Sequence, residues 1–305
     1  MSGKTVFMFP GQGSQSVGMR DKLGLALESQ QHWFTEADQI LGYELTRLID
    51  QGPEEELTRT SNAQPALLAT GVAFGTALME KGYTPDIVMG HSLGEYSALV
   101  CAGVLSYTDA LRLVRTRGIL MEQAVVDTPG KMAAVIGADP EKLNAVVDAC
   151  RKTGVLEITN YNSPGQLVLS GETASIEAAV KALNETRLGR VVILNVSAPF
   201  HCSMMRPMAE AFAKHLSETP FMKPHKTFID NVTGLVEDNP EHIREKLVRQ
   251  LYSPVLWEAS MRSAAALGAE NFLESGPGAV LSGLVKRTIK GVNFTTGEKL
   301  LASTA

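Results

Sequence analysis

Gly90-His91-Ser92-Leu93-Gly94 sets one hydroxyl at the centre of a Gly-x-Ser-x-Gly segment. It follows a short apolar run, Ile87-Val88-Met89, and precedes a small-residue stretch, Glu95 to Ala102, that reads as a helix. Strand, tight turn with a central serine, then helix is the context that turns this pattern into a nucleophile elbow. The glycines let the chain turn where a Cβ would clash, and the helix start offers free amides to a developing negative charge. The alternative is an ordinary turn, since the pattern also arises by chance.

A serine hydroxyl needs a base before it attacks anything. The chain has six histidines. His91 adjoins Ser92, but neighbouring side chains on a tight turn diverge, so it reads as an orienting or packing residue. His215 and His242 fall in polar helices and read as solvated. His32 and His225 carry no partner motif. His201 lies in Ser197-Ala198-Pro199-Phe200-His201-Cys202, a loop just before a helix and at an expected domain junction, where clefts form. It is the candidate general base, with an ordinary loop histidine as the alternative.

Gly11-Gln12-Gly13-Ser14-Gln15 follows the first expected strand. Position 16 is serine, so the Gly-x-Gly-x-x-Gly dinucleotide fingerprint fails, and no Walker sequence occurs. What remains is a Gly-rich loop at the carboxyl end of a strand, where α/β sheets place ligands. An amide there and the amide of Leu93 can form an oxyanion hole; the alternative is a plain βα turn. Arg117 falls in the middle of an apolar stripe, Leu113, Val114, Leu120, Met121 and Ala124, on the helix expected at Tyr107–Ala124. A buried guanidinium is costly unless paired. Its partner is either an internal carboxylate or the carboxylate of a ligand, which the planar fork of arginine grips with two bonds.

These residues need a scaffold. Val6–Phe9, Ile87–Met89, Phe228–Asp230 and Phe272–Glu274 read as strands. Ala66–Lys81, the segment after the elbow, Tyr107–Ala124, and helices starting at Met204, Pro240, Glu258 and Val280 alternate with them. The fold class is therefore α/β, a hydrolase-like, mostly parallel sheet flanked by helices. The middle of the chain runs strand Met132–Ile136, helix Pro140–Lys152, strands Leu156–Thr159 and Gln166–Ser170 around the turn Tyr161–Gly165, helix Glu172–Thr186 and strand Val191–Val196. That βαββαβ order predicts a small inserted ferredoxin-like subdomain at 128–196, within a large domain formed by 1–127 and 197–305.

The 305 residues are 44% apolar and 20% charged, ordinary for a globular protein, and can bury a large core. A formal charge of −5 argues against a nucleic-acid binder. No apolar stretch reaches the ~18 residues of a membrane span, and Met1–Thr5 carries no signal-peptide pattern. The three cysteines, Cys101, Cys150 and Cys202, are scattered and odd in number and offer no metal-binding spacing. A cytoplasmic enzyme without a metal is the expectation.

The motifs occur in an order that resembles a known family. Phe9-Pro10-Gly11-Gln12-Gly13-Ser14-Gln15, Gly90-His91-Ser92-Leu93-Gly94-Glu95, Arg117, Asn160 to Gln166, Pro199-Phe200-His201, Gln250 to Val255 and Glu274 to Gly278 together resemble the malonyl-CoA:acyl carrier protein transacylase family, which is related to polyketide acyltransferase domains. The resemblance covers nearly the whole chain. It implies that Ser92 is acylated and His201 is its base. It implies that the amides of Gln12 and Leu93 form the oxyanion hole, that Arg117 pairs with the free malonyl carboxylate, and that Gln250 orients His201 through its main-chain carbonyl. Leu93 and Phe200 are the types associated with malonyl over methylmalonyl. Ala198-Pro199-Phe200 departs from the Val-Pro-Ser of many bacterial members.

The implied reaction is ping-pong transfer of malonyl from malonyl-CoA to the phosphopantetheine thiol of acyl carrier protein, supplying fatty acid biosynthesis. The implied enzyme is a monomer without a resident cofactor, because malonyl-CoA is a substrate and phosphopantetheine belongs to the partner. Carrier proteins are acidic, so Lys286, Arg287, Arg187 and Arg190 are candidates for a docking patch, with solvated surface as the alternative. A serine hydrolase usually runs Ser, then Asp or Glu, then a late His; here His201 lies far from the end and no motif marks an acid. A catalytically dead carrier-binding scaffold would not need Ser92, His201 and Arg117 together.

Overall fold

The computed structural model describes residues 3–124, 129–196 and 198–302. Its strands are β1 (Lys4–Phe9), β2 (Ile87–Gly90), β3 (Gly130–Ile136), β4 (Leu156–Ser163), β5 (Gln166–Glu172), β6 (Arg190–Ile193), β7 (Thr227–Ile229), β8 (Ala269–Glu274) and β9 (Asn293–Thr296). Five of them form one sheet in the order β7-β2-β1-β8-β9, with every neighbouring pair parallel. Parallel strands require crossovers, so helices cover both faces and the central strand is apolar and buried from Val6 to Phe9. β1 shows this directly. Phe7 and Phe9 pack with Phe34, Phe74 and Tyr96 on one face, and Val6 and Met8 with Trp257, Met261 and Phe272 on the other.

The remaining four strands form an antiparallel sheet in the order β4-β5-β3-β6. With helices Pro140–Cys150 and Thr173–Thr186 it has the βαββαβ order expected from sequence. The expected junction at 127/128 lies outside the described residues, and that at 196/197 falls against Ser197, which is also outside them. One face of this sheet, with Ala133, Val135 and Leu169, packs against its own helices around Leu143, Val147, Ile176 and Leu183. The other face carries Met132, Val168 and Leu194 into the core of the larger layer. β4 also meets the segment before helix Trp257–Ala266, where Tyr161 N donates to Val255 O and Val255 N to Thr159 O, each at 2.9 Å.

Several expectations shift. The helix expected from Ala66 begins at Thr60 and runs to Glu80 with Pro65 inside it. Pro65 has no N–H for the Ser61 carbonyl, and Arg115 Nη1 donates to that oxygen instead, at 2.6 Å. The turn expected at Tyr161–Gly165 is shorter, because β4 continues to Ser163 and its register shifts twice on the way. Helices Leu27–Leu41, Leu45–Gln51 and Glu54–Thr58, strand β9 and the short helix Gly297–Ala302 have no counterpart in the sequence reading. Among the described residues no helix is long and apolar enough to cross a membrane.

The helix after β2 starts hard against β1. A Cβ on Gly94 would lie 2.0 Å from the carbonyl oxygen of Phe9. Backbone stands on both sides, so nothing can yield. Gly94→Ala is expected to destabilise the protein by about 3 kcal/mol or more, at the upper end for overpacking. A urea melt of the purified variant measures it, and a midpoint equal to wild type would contradict this packing.

Candidate active site

Ser92 is the residue that turns β2 into the helix Gly94–Cys101. Its φ is +51°, a left-handed conformation that a non-glycine residue adopts only when its surroundings impose it. Asn231, in the loop after β7, imposes it. Its Oδ1 accepts from Ser92 N at 2.7 Å and its Nδ2 donates to Gly90 O at 2.7 Å. The side chain thus bridges the elbow on both sides of the turn.

His201 also has a positive φ, +63°. Its loop is held by Glu157 of β4, whose Oε2 accepts from Ser203 N at 3.2 Å, and by Cys202 Sγ donating to Pro199 O. The imidazole lies between two partners. Nδ1 is 2.7 Å from the main-chain oxygen of Gln250, and Nε2 is 2.7 Å from Ser92 Oγ. A carbonyl oxygen only accepts, so Nδ1 carries the proton and Nε2 is the free base facing the hydroxyl. Burial, and after it the Arg117 guanidinium, pushes the imidazole down to about 3, against the pull of the Gln250 carbonyl. His201 is therefore neutral at physiological pH.

Arg117 is 1% exposed. No carboxylate forms an ion pair with it among the described residues. Its Nη2 donates to Gln250 Oε1 at 2.9 Å and to Ser92 Oγ at 3.3 Å, and its Nε has no protein partner. The guanidinium thus sits on the nucleophile with donors to spare.

The Gly11–Gln15 loop comes to the same point. A Cβ on Gly11 would lie 2.4 Å from His91 O, so only glycine lets the loop press against the elbow. Gln12 is tied by its side chain to Thr60 Oγ1 at 3.2 Å. Among the described residues neither Gln12 N nor Leu93 N donates to a protein acceptor. Gln12, Ser92, Leu93, Arg117, Phe200 and His201 all line one cavity of about 190 Å³. Met132 and Val168 of the antiparallel sheet form its apolar wall, so the site opens between the two sheets. Gln250 is fully buried beneath it.

Three contributors escaped the sequence reading. Asn231 sits in a Asp-Asn-x-Thr-Gly turn that carries no signal of its own. Glu95 is a lone carboxylate at the start of a small, apolar helix, 2% exposed, and that mismatch was a signal. Glu157 reads as an ordinary strand residue. His91 does pack as expected: its ring meets Trp257 edge-on at 5.5 Å, and its Nε2 is 2.8 Å from Asn162 Oδ1. No group of three or more His, Cys, Asp or Glu among the described residues is placed to hold a metal ion.

A parallel α/β sheet with a serine–histidine pair at its elbow, joined to a small antiparallel sheet, marks an acyl transferase. The family model for the acyl transferase domain matches residues 6–302. The malonyl CoA-acyl carrier protein transacylase of Escherichia coli K12 is 43% identical over 93% of this chain and 92% of its own length. That of Bacillus subtilis is 45% identical over 93% and 90%. Among solved structures, an acyl carrier protein S-malonyltransferase from Vibrio cholerae superposes with a TM-score of 0.91 at 42% identity, covering 96% of each chain. A type II PKS acyl-carrier protein in complex with its malonyl-transacylase gives 0.93 at 42% identity, over 96% of this chain and 95% of that one. The chain belongs to the malonyl CoA-acyl carrier protein transacylases of the acyl transferase family.

Proposed function

We propose that this chain moves a malonyl group from malonyl-CoA to the phosphopantetheine thiol of acyl carrier protein through an ester on Ser92. The observation that carries this is the single oxygen shared by base and receptor: Ser92 Oγ is 2.7 Å from His201 Nε2 and 3.3 Å from Arg117 Nη2. A malonyl thioester has a carbonyl to attack and a carboxylate to hold, and this site has one group for each.

In the first half-reaction Oγ bonds to the thioester carbon while His201 Nε2 takes the hydroxyl proton. The carbonyl oxygen becomes an oxyanion between the amides of Gln12 and Leu93. The carbon–sulfur bond then breaks, and His201 gives its proton to the departing CoA sulfur. In the second half-reaction the carrier thiol gives its proton to His201 and its sulfur bonds to the ester carbon. Oγ leaves and recovers the proton. The Gln250 carbonyl stabilises the imidazolium formed in each half, so no acidic third member is needed.

Phe200, 7% exposed in the cavity wall, limits the width available to a branched acyl group. Lys286 and Arg287, exposed on the helix that starts at the cavity rim with Val280, suit an acidic carrier. The enzyme works as a monomer in the cytoplasm and needs no resident cofactor or metal.

Mixing with malonyl-CoA alone is expected to release one equivalent of CoA per enzyme and then stop, with turnover resuming on addition of carrier that bears its free phosphopantetheine thiol. Steady CoA and malonate release without carrier would mean hydrolysis and would overturn the reading.

The low pKa of His201 gives a pH prediction. The neutral imidazole is the base, and the folded value of about 3 lies below the ordinary 6.5. The rate of acylation by acetyl-CoA, which has no carboxylate for Arg117 to hold, is therefore expected to stay level from pH 8 to below 6, rather than halve near 6.5, in rapid-quench assays of CoA release. Stability goes the other way. Between 6.5 and 3 the unfolded chain takes up a proton the folded chain refuses, so this group's contribution is lost as pH falls through that window.

A further inference from the structure

Behind Arg117 lies a buried carboxylate, Glu95, that forms no ion pair with it. The side-chain amide of Gln250 lies between Arg117 and Glu95. A guanidinium only donates, so the Gln250 atom 2.9 Å from Arg117 Nη2 is the carbonyl Oε1. The amide nitrogen must then face the other way. It donates to Ser92 O at 3.0 Å and to Glu95 Oε2. The second oxygen of Glu95 accepts from Asn231 N at 2.9 Å. Asn231 is the residue that bridges the elbow, so Glu95 joins the pin of the nucleophile to the holder of the arginine.

Both neighbours of Glu95 are donors, and only a carboxylate offers an acceptor to each. A glutamine there cannot satisfy the pair. If its oxygen meets Asn231 N, its NH2 faces the NH2 of Gln250; if it turns over, its NH2 faces the Asn231 amide. Relief requires Gln250 to flip, which sets an NH2 against Arg117. Meanwhile Arg117 rests on a neutral oxygen rather than in a closed ion pair, and its buried Nε has no protein partner among the described residues.

We infer that Glu95 is a positioning residue for acyl selectivity: acting through Gln250, it holds a neutral acceptor against Arg117, so that the guanidinium is fixed beside Ser92 yet stays free to grip the carboxylate of the incoming acyl group. This rests on the reading of Arg117 as the malonyl receptor.

Protonation would make Glu95 a donor on one oxygen, much as glutamine would. Burial and the neighbouring Asp230 push its carboxyl up to about 8, against Asn231 N, Gln250 and Arg117. The charged and titratable groups around it are Arg117 and Tyr96, the Asp230–Lys246 pair and His201 beyond Gln250. The wild-type preference for malonyl should therefore rise with pH through about 8.

The test measures single-turnover acylation of the full chain by malonyl-CoA and acetyl-CoA between pH 6.5 and 9. It compares wild type, Glu95→Gln and Arg117→Ala. Glu95→Gln is expected to lower the malonyl-to-acetyl rate ratio at pH 8.5 by about tenfold, the scale for groups that orient a binding residue from behind, and to leave that ratio flat with pH. An unchanged ratio, including one in which both rates fall in step, overturns the inference and reduces Glu95 to a prop of the elbow. Should the variant not fold, Glu95→Asp takes its place: its carboxylate is one methylene short of Gln250, so a lowered ratio supports the inference and an unchanged one overturns it. If Arg117→Ala keeps the wild-type ratio, the receptor reading fails first; if it loses the ratio while Glu95→Gln keeps it, only the role of Glu95 falls.

Discussion

Ser92→Ala is expected to reduce malonyl transfer by on the order of 10⁴-fold or more, and His201→Ala by about 10²–10⁴-fold. The double variant should be no worse than Ser92→Ala alone. The reason is the 2.7 Å contact between Oγ and Nε2. Without the hydroxyl, His201 has no proton to take; without the imidazole, the hydroxyl attacks as a neutral alcohol. Residues that act as one unit lose their joint effect once, and their separate losses do not multiply. What survives in each case is substrate held beside the amides of Gln12 and Leu93. Single-turnover CoA release, followed for all three variants, measures these losses. Multiplicative loss in the double variant would mean that the two side chains work independently, contrary to the geometry.

Arg117→Ala carries the second large effect. Truncating one partner of a buried, hydrogen-bonded charge pair costs about 2–5 kcal/mol. Here the pair exists only when a malonyl carboxylate is bound, so the loss falls on malonyl and not on a neutral acyl group. The malonyl-to-acetyl ratio of acylation rates should drop by about 30-fold or more. Arg117→Lys should recover little of it, because an ammonium lacks the planar fork and has a shorter reach of donors. The empty space left by alanine opens beside Ser92, and longer neutral chains should enter it more readily. An equal drop for malonyl-CoA and acetyl-CoA would show that Arg117 serves the elbow instead, through its contacts with Ser92 and Gln250.

The parts of this site that lie in one stretch of chain are legible in the sequence alone. Gly90–Gly94 announced a strand–turn–helix because the glycines, the apolar run before them and the small residues after them agree. Arg117 stood out because a charge broke an apolar stripe, and the structure buries it as that stripe requires. The α/β alternation and the inserted βαββαβ unit followed from the rhythm of apolar runs. What stayed hidden was set by distant parts of the chain. Asn231 pins an elbow 139 residues away in sequence, and a turn of Asp, Asn and Thr gives no hint of such a task. Helix Thr60–Glu80 began earlier than Pro65 allows by local rule, because Arg115 takes the carbonyl that the proline leaves idle. β4 outran its Asn-Ser-Pro-Gly turn signal because pairing with β5 holds Tyr161 and Ser163 in the ladder. Glu95 was visible as an anomaly, yet its meaning depends on Gln250, 155 residues further on.

The central claim is that Ser92 becomes an ester of the acyl group. Mixing the protein briefly with malonyl-CoA, quenching in acid and mapping peptides by mass spectrometry tests it directly. The account predicts one malonyl group per chain, on the peptide that contains Ser92, disappearing when carrier with a free phosphopantetheine thiol is added before the quench. A malonyl group on any other residue, or free malonate with the chain unmodified, would contradict it.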